Sequence, residues 1–174
     1  MERCPVCGSA LSVIRDKPYH YTESGLNVIL IGITQYTCDD CKETFASIPN
    51  PEQLHTTIAL DICKNKKALL LANEIRFLRK ELGLKSKELA MAMGVKPEQV
   101  SRWENGKASI GESNDRMLRM IYRASVEQPC SDISAKDRVI SFLTSLPSKR
   151  KQIDDSHVIE LNPQEWMRPQ TASC

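Results

Sequence analysis

A chain of 174 residues is about one to one and a half average domains, which leaves room for two small modules and excludes a large multidomain enzyme. Its 24 basic and 22 acidic residues nearly cancel to +2, so it is no bulk polycation, and any attraction to nucleic acid must come from local clustering. Aromatic residues make up 5% and apolar residues 41%, which suits aliphatic helical cores better than aromatic-rich β-sandwiches.

The N-terminus, Met1-Glu2-Arg3-Cys4-Pro5, lacks the basic-then-apolar pattern of a secretory signal. The most apolar stretch, residues 26–33, is about eight residues against the ~20 needed to span a bilayer. A soluble, cytoplasmic protein with no membrane partner is expected, and a reducing compartment keeps thiols available as ligands. The charge is unevenly spread. Residues 1–62 carry 4 basic against 8 acidic side chains, residues 63–110 carry 11 against 5, and residues 111–174 carry 9 of each. The near-neutral total conceals a basic middle, a feature shared by DNA-binding surfaces and ordinary solvated helix faces.

Residues 1–48 form a first module. Of the seven cysteines, an odd number, four lie in two Cys-x-x-Cys pairs, Cys4-Pro5-Val6-Cys7 and Cys38-Asp39-Asp40-Cys41, which points to metal chemistry rather than a disulfide framework. A two-residue gap lets one tight turn offer both sulfurs to one ion, and four thiolates are what Zn²⁺ takes in a closed tetrahedral site. Leu11-Ser12-Val13-Ile14 and residues 26–36 are rich in β-branched side chains and read as short strands. The expectation is a zinc-ribbon-like module with one structural Zn²⁺ on Cys4, Cys7, Cys38 and Cys41 and no open position for catalysis. Three other uses of the thiols stay open. A redox pair has two pairs and no βαβ pattern against it. A rubredoxin-like iron electron carrier fits Cys7-Gly8 but not Asp39-Asp40 and Lys42, and the third use is coincidental free thiols. His20, His55 and His157 read as ordinary surface or core residues, and Cys63, Cys130 and Cys174 as free thiols. The module's acidic balance favours a protein partner over DNA.

Residues 49–67 form a connector that follows the turn-rich Ile48-Pro49-Asn50-Pro51 and is partly helical, with Leu54, Ile58 and Ile62 at i, i+4 and i+8. From 68 to 126 the spacing is helical throughout. Leu71, Ile75, Leu78 and Leu82 make the stripe of a helix that Gly83 ends. Ser86 reads as the N-cap of a short helix with Glu88 in its first turn and Leu89, Ala90 and Met93 inward, and Gly94 turns the chain. Pro97 opens the next helix, Val100 and Trp103 face inward, and Asn105-Gly106 closes it. Ser113 caps a fourth helix with Met117, Leu118 and Ile121 as its stripe.

Two short helices joined by a tight Gly-containing turn, with a further helix on each side, are the layout of a helix-turn-helix whose second helix enters the major groove of double-stranded DNA. Lys96, Pro97, Glu98, Gln99, Ser101 and Arg102 then lie on the exposed start and face of that helix. Arg102 is the favoured base reader, because its planar fork suits guanine O6 and N7. Glu98 could accept from cytosine N4, Gln99 could pair with adenine or lie against phosphate, and Lys85, Lys87 and Lys107 would neutralise phosphate without sequence preference.

The run Ile75-Arg76-Phe77-Leu78-Arg79-Lys80-Glu81-Leu82-Gly83-Leu84, then Glu88-Leu89-Ala90, Met93-Gly94-Val95 and Val100-Ser101-Arg102-Trp103-Glu104-Asn105-Gly106, resembles the Xre/Cro and phage-repressor helix-turn-helix family. The resemblance implies that Ser86 meets a backbone phosphate at its helix N-terminus, with Trp103 in the core. It also implies that Glu104 is structural, paired with Arg79 of the first helix, so that its loss unfolds the domain more than it alters specificity. A Cys4 module followed by such a domain is similar to the MqsA antitoxin family, whose zinc domain is of the YgiT type. That likeness runs from Cys4 to Tyr122 and rests on Cys4-Pro5-Val6-Cys7, Tyr36-x-Cys38-x-x-Cys41-x-Glu43 and Ser101-Arg102-Trp103-Glu104. It implies a homodimer through the helix-turn-helix module on a palindromic operator, usually of its own promoter, and a ribonuclease toxin held by the zinc module.

Residues 127–174 form a C-terminal extension. Ser134 is placed to cap a helix carrying Val139, Ile140 and Leu143, and Pro147-Ser148-Lys149-Arg150-Lys151 breaks the pattern. The remainder reads as weakly ordered, with Val158-Ile159-Glu160-Leu161 and Trp166-Met167 as short apolar runs able to dock on a partner. The whole is thus expected to be α+β: a small Cys4 zinc-ribbon-like β module, an all-α Xre/Cro-type helix-turn-helix domain and a weakly ordered tail. Nothing in it offers a catalytic constellation. It reads as a sequence-specific transcriptional regulator, an autoregulating repressor and candidate antitoxin rather than an enzyme. The rival reading is a protein-sequestering antitoxin module whose helix-turn-helix mainly dimerises.

Overall fold

The computed structural model describes residues 3–15, 17–126 and 157–167. The described residues divide into two compact units, one of residues 3–54 with 158–167 and one of residues 55–126 with His157. The architecture is α+β as expected, with a strand module carrying the paired cysteines followed by a helical region. No helix among the described residues is long and apolar enough to cross a membrane. Cys130, Cys174, the helix expected after Ser134 and the Lys149-Arg150-Lys151 run lie outside the described residues.

The first unit is built from β1 (Leu11–Ile14), β2 (Tyr19–His20), β3 (Val28–Leu30), β4 (Thr34–Cys38) and β5 (Thr44–Ser47), with β6 (Ile159–Leu161) and a five-residue helix, α6 (Pro163–Met167), added from the far part of the chain. β1, β4 and β5 form an antiparallel sheet with β4 in the middle, in a register that sets Leu11 opposite Cys38. β2, β3 and β6 form a second sheet in which β3 runs antiparallel to β2 and parallel to β6. Strand side chains alternate between faces, and accordingly Val28 and Leu30 are buried while Ile29 between them is half-buried.

Residues 158–167 of the C-terminal extension join this unit. The Ile159 N–H donates to the Asn27 carbonyl at 3.1 Å and the Ile31 N–H to the Leu161 carbonyl at 2.9 Å, so the apolar run pairs with the edge of β3. Ile159 and Leu161 are buried and Glu160 faces water. The turn that follows carries its own helix start. Asn162 Oδ1 accepts the Gln164 N–H at 3.0 Å, Glu165 Oε2 accepts the Asn162 N–H at 2.6 Å, and Pro163 opens α6. This is a capping box with proline at the first helical position. It delivers Trp166 to a site where it is fully buried and its indole N–H donates to the Pro49 carbonyl at 2.7 Å.

The helical unit comprises α1 (Pro51–Lys64) from His55 onward, α2 (Ala72–Glu81), α3 (Ser86–Met93), α4 (Pro97–Glu104) and α5 (Glu112–Val126). Residues 55–67, expected as a connector, belong to this unit. Ile58, Ile62 and Cys63 are buried, and His55 pairs with Glu81 at 3.0 Å and meets the Phe77 ring edge-on at 5.6 Å, which packs α1 on α2. Ile75, Leu78, Leu89, Ala90, Met93, Val100, Trp103, Ile110, Leu118 and Tyr122 fill the core, each large apolar side chain contributing roughly 1.5–3 kcal/mol by its burial. α2, α3 and α4 end alike: the residue after the glycine donates to the carbonyl five positions back, as Val95 does to Ala90 at 3.0 Å. Such a Schellman end needs a left-handed residue, and Gly94 at φ +65° supplies it without a Cβ penalty.

Three local expectations shift. Leu71 and Leu82 sit at the two ends of α2 and are half-buried, and Phe77 takes their place in the core. Ser86 is the first residue of α3 rather than its cap, because the preceding Lys85 takes the cap position with its N–H donating to Glu88 Oε2 at 2.6 Å. Ser113 lies inside α5, whose buried stripe is Asp115, Leu118, Arg119 and Tyr122, leaving Met117 exposed and Ile121 half-buried.

Candidate metal centre and nucleic-acid interface

The two Cys-x-x-Cys segments fold as copies of one knuckle. The N–H of each leading cysteine donates to the carbonyl five residues on, Cys4 to Ser9 at 2.8 Å and Cys38 to Glu43 at 2.9 Å. The amide four residues on donates back, Gly8 to Cys4 at 2.9 Å and Lys42 to Cys38 at 3.0 Å. That fourth residue is left-handed in both, Gly8 at φ +79° and Lys42 at φ +63°. Pairing of β1 with β4 brings the knuckles face to face. Cys4 and Cys41 Sγ lie 3.6 Å apart, Cys7 and Cys38 Sγ 3.4 Å apart, and all four fall within 4.8 Å of one another.

A tetrahedral ion with metal–sulfur bonds of about 2.3 Å separates its sulfurs by about 3.8 Å, so this donor set fits one such ion with little movement. The cysteines are thiols rather than disulfides. Their acidities differ. Cys7 is lowered to about 6, first by hydrogen bonding from the Ser9 side chain and backbone and then by its contact with Cys38. The Glu43 backbone amide would lower Cys41 too, but burial and the three neighbouring sulfurs leave it pushed up to about 12. Were an ion to bind here, Cys7 would meet it already ionised and Cys41 would have to give up its proton.

In the helical unit, α4 turns Pro97, Glu98, Gln99, Ser101 and Arg102 to solvent and buries Val100, Trp103 and Glu104. Lys96 caps the start of α4, and Lys85, Lys87 and Lys107 are exposed around the α3–turn–α4 unit. Lys96, Gln99 and Arg102 share an open depression of about 340 Å³ with Ala108 and Ser109, two residues that periodicity alone does not single out. Beneath this face, Arg79 Nε meets Glu104 Oε1 at 2.5 Å and its Nη2 meets Oε2 at 3.3 Å, a two-pronged pair. Arg79 also donates to the Leu84 carbonyl at 2.8 Å, and Arg76 to the Glu104 carbonyl at 2.6 Å. The Ser86 hydroxyl points to Glu104 Oε2 at 3.3 Å. Glu104 thus ties the start of α3 and the end of α4 to α2.

The model of a family described as the antitoxin component of a bacterial toxin–antitoxin system, MqsA, matches residues 1–125. The chain belongs to the MqsA antitoxin family. It is also similar to "Antitoxin MqsA" of Escherichia coli (strain K12), 28% identical over 121 residues that cover 68% of this chain and 91% of the relative.

Within the MqsA-matched region lies a buried ionic cluster that an apolar-stripe reading passes over. Arg119 is fully buried beside Asp115, with Nε to Oδ2 at 3.1 Å, and its guanidinium donates to the carbonyls of Ile62, Cys63, Lys66 and Ala68 at 2.6–3.3 Å. Asp115 also accepts the Leu70 N–H at 2.8 Å. Lys66, itself buried, pairs with Glu74 at 2.8 Å, and Glu74 accepts the Leu71 N–H at 2.7 Å. Residues 65–71, which join α1 to α2 outside any helix, are held by these four side chains. β6 and α6 lie beyond the MqsA match.

Proposed function

We propose that the chain is the DNA-binding antitoxin of a toxin–antitoxin pair: a cytoplasmic, non-enzymatic, sequence-specific repressor of its own promoter that binds a palindromic operator as a homodimer. The observation that carries this reading is the division of α4. Its core side chains fix the helix while Glu98, Gln99, Ser101 and Arg102 stand outward, with exposed lysines around them. In this reading α3, the turn at Gly94 and α4 form a helix-turn-helix, and two copies related by a two-fold axis set their α4 helices in successive major grooves, roughly 34 Å apart.

Arg102 reads guanine, Glu98 and Gln99 read or position neighbouring bases, and Lys96 with Pro97 sets the amides of the α4 N-terminus toward phosphate. Ser101 approaches the backbone beside Arg102. Lys85, Lys87 and Lys107 neutralise phosphate, so affinity falls steeply with salt. Ser86 reaches phosphate only by its backbone amide or by releasing Glu104. Arg79, Trp103 and Glu104 hold the helix in place without touching DNA. The four cysteines hold one Zn²⁺ that supplies a covalent-like cross-link between the knuckles and no reaction chemistry. The toxin is the protein partner of the metal-bearing module, whose acidic balance disfavours DNA.

Arg102→Ala tests the reading. On DNA from the chain's own promoter, loss of one bidentate base contact is expected to weaken binding roughly 5- to 150-fold, from about 1–3 kcal/mol, and to relax preference at one base pair. Unchanged footprint affinity and site preference would sink it in favour of a sequestering module that only dimerises. Elemental analysis decides the metal, since a red iron-loaded protein with a reversible redox wave would displace zinc.

A further inference from the structure

The family match stops at residue 125, yet the metal-bearing unit is completed by residues 158–167. This strap is recognised in two ways. Its backbone adds a parallel strand to β3 through Ile159 N–H to Asn27 O and Ile31 N–H to Leu161 O, at 3.1 and 2.9 Å. Its side chains fill two pockets, Ile159 and Leu161 beside Val28 and Leu30 on the sheet and Trp166 over Pro49, where the indole N–H is satisfied at 2.7 Å. Pro163 lies beside Gly32, where a Cβ would make an ordinary contact of 3.9 Å with its Cδ. Main-chain bonds with alternating side-chain pockets are how a sheet edge recognises an extended peptide.

We propose that the β3 edge and the Trp166 pocket form a strand-exchange site, which takes residues 158–167 of a second copy of this chain as well as its own. The contacts above lie wholly between residues 159–166 and residues 27–32 and 49, so a neighbour's strap can make each of them; His157, just ahead of them, meets Asp61 at 2.9 Å. Residues 127–156 separate α5 from the strap. Thirty residues reach at most about 100 Å when fully extended, against about 30 Å for the width of a small domain, so the tether is long enough to cross to an adjoining copy. Without any occupant, an apolar edge at Val28 and Leu30 would stand open to aggregation. In the dimer, on which the exchange rests, each strap meets two equivalent sites at an effective concentration on the order of millimolar.

The test uses the chain ended at Ser156 as receptor and a fluorescein-labelled peptide of residues 157–168 as probe. Saturable low-micromolar binding is expected. The full chain should bind the probe at least about ten-fold more weakly, because its own strap competes, and a peptide with Trp166→Ala should not bind. Should the shortened chain fail to retain metal and helix signal, a full-length chain carrying Leu161→Asp and Trp166→Ala, strap present but undocked, replaces it as receptor. No binding to a folded receptor, or equal binding to the full chain, overturns the exchange site. Sedimentation of the full chain decides the dimer separately: a monomer would refute the dimeric reading, while the probe still decides the site.

Discussion

The two units of this chain solve the same problem, too little core, with opposite chemistry. The strand module has short strands of two to five residues and spends its most restrictive side chains on four sulfurs; its small apolar core, with Tyr21, Val28, Leu30 and Ile33, is completed by Ile159, Leu161 and Trp166 from far along the sequence. The helical unit has an ordinary aliphatic core, but sets charges inside it: Arg119 with Asp115, Lys66 with Glu74, and Arg79 with Glu104 at its edge. The first unit gathers a donor set able to hold an ion, and the second relies on pairs it already contains. A perturbation aimed at one should leave the other standing.

Metal removal is the largest such perturbation. A structural Zn²⁺ contributes roughly 10–16 kcal/mol of apparent binding energy to small folded modules, so a strong chelator is expected to collapse the strand unit's dispersed amide resonances while the helices keep their melting temperature. Simultaneous loss of both would refute the separation. Acid should do the same by a signed route. Cys7, held at about 6, is an anion at neutral pH and takes up a proton only as pH falls through that value, while Cys41, pushed up to about 12, gives its proton to solvent when metal binds. Metal affinity therefore drops with every step down in pH, and more steeply below about 6, where one further proton must be displaced. A titration with a colorimetric zinc competitor reads both slopes.

The matching perturbation of the helical unit is Arg119→Met. It leaves Asp115 buried without its counter-ion and withdraws the donor from four carbonyls of residues 62–68. Breaking a buried pair costs about 3–5 kcal/mol, whereas replacing both partners is often close to neutral. The helical melt should fall accordingly, metal content should not change, and Arg119→Met with Asp115→Leu should recover part of the loss. A single variant as stable as the parent would show that the cluster contributes no stability.

These two units were unequally legible in the sequence. The knuckles are local, with ligands two apart on one turn and a β1–β4 register that any zinc-ribbon-like reading requires. The outward face of α4 is legible for a similar reason, because Val100 and Trp103 three apart already orient the helix. Periodicity misplaced the inner face of α5 onto Met117 and Ile121, since it scores Asp115 and Arg119 as solvent-facing, and only the carbonyls of residues 62–68, fifty positions away, make their burial affordable. The strap was harder still. A three-residue strand paired across more than a hundred positions leaves no periodic trace, although Asn162-Pro163-Gln164-Glu165 is a helix-start signal that could have placed α6.

The smallest expected effect probes the symmetry of the knuckles themselves. Gly8 and Lys42 occupy the same left-handed position, at φ +79° and +63°, and only one of them is built for it. An L-residue there costs about 1–2 kcal/mol, against about 0.5–1 kcal/mol of extra chain entropy for a glycine. No atom outside the adjoining residues lies within 4 Å of a Cβ at Gly8, so its penalty is backbone geometry and not crowding, and the same is expected at Lys42. Lys42→Gly should thus stabilise the metal-loaded strand unit by up to about 1 kcal/mol and slow zinc release, and Gly8→Lys should do the reverse by a similar amount. Because Lys42 is exposed, charge loss is controlled by Lys42→Gln, which keeps the strain and should change nothing. If Lys42→Gly weakens zinc retention instead, the lysine acts on the thiolates through its charge, and the two knuckles are alike in backbone only.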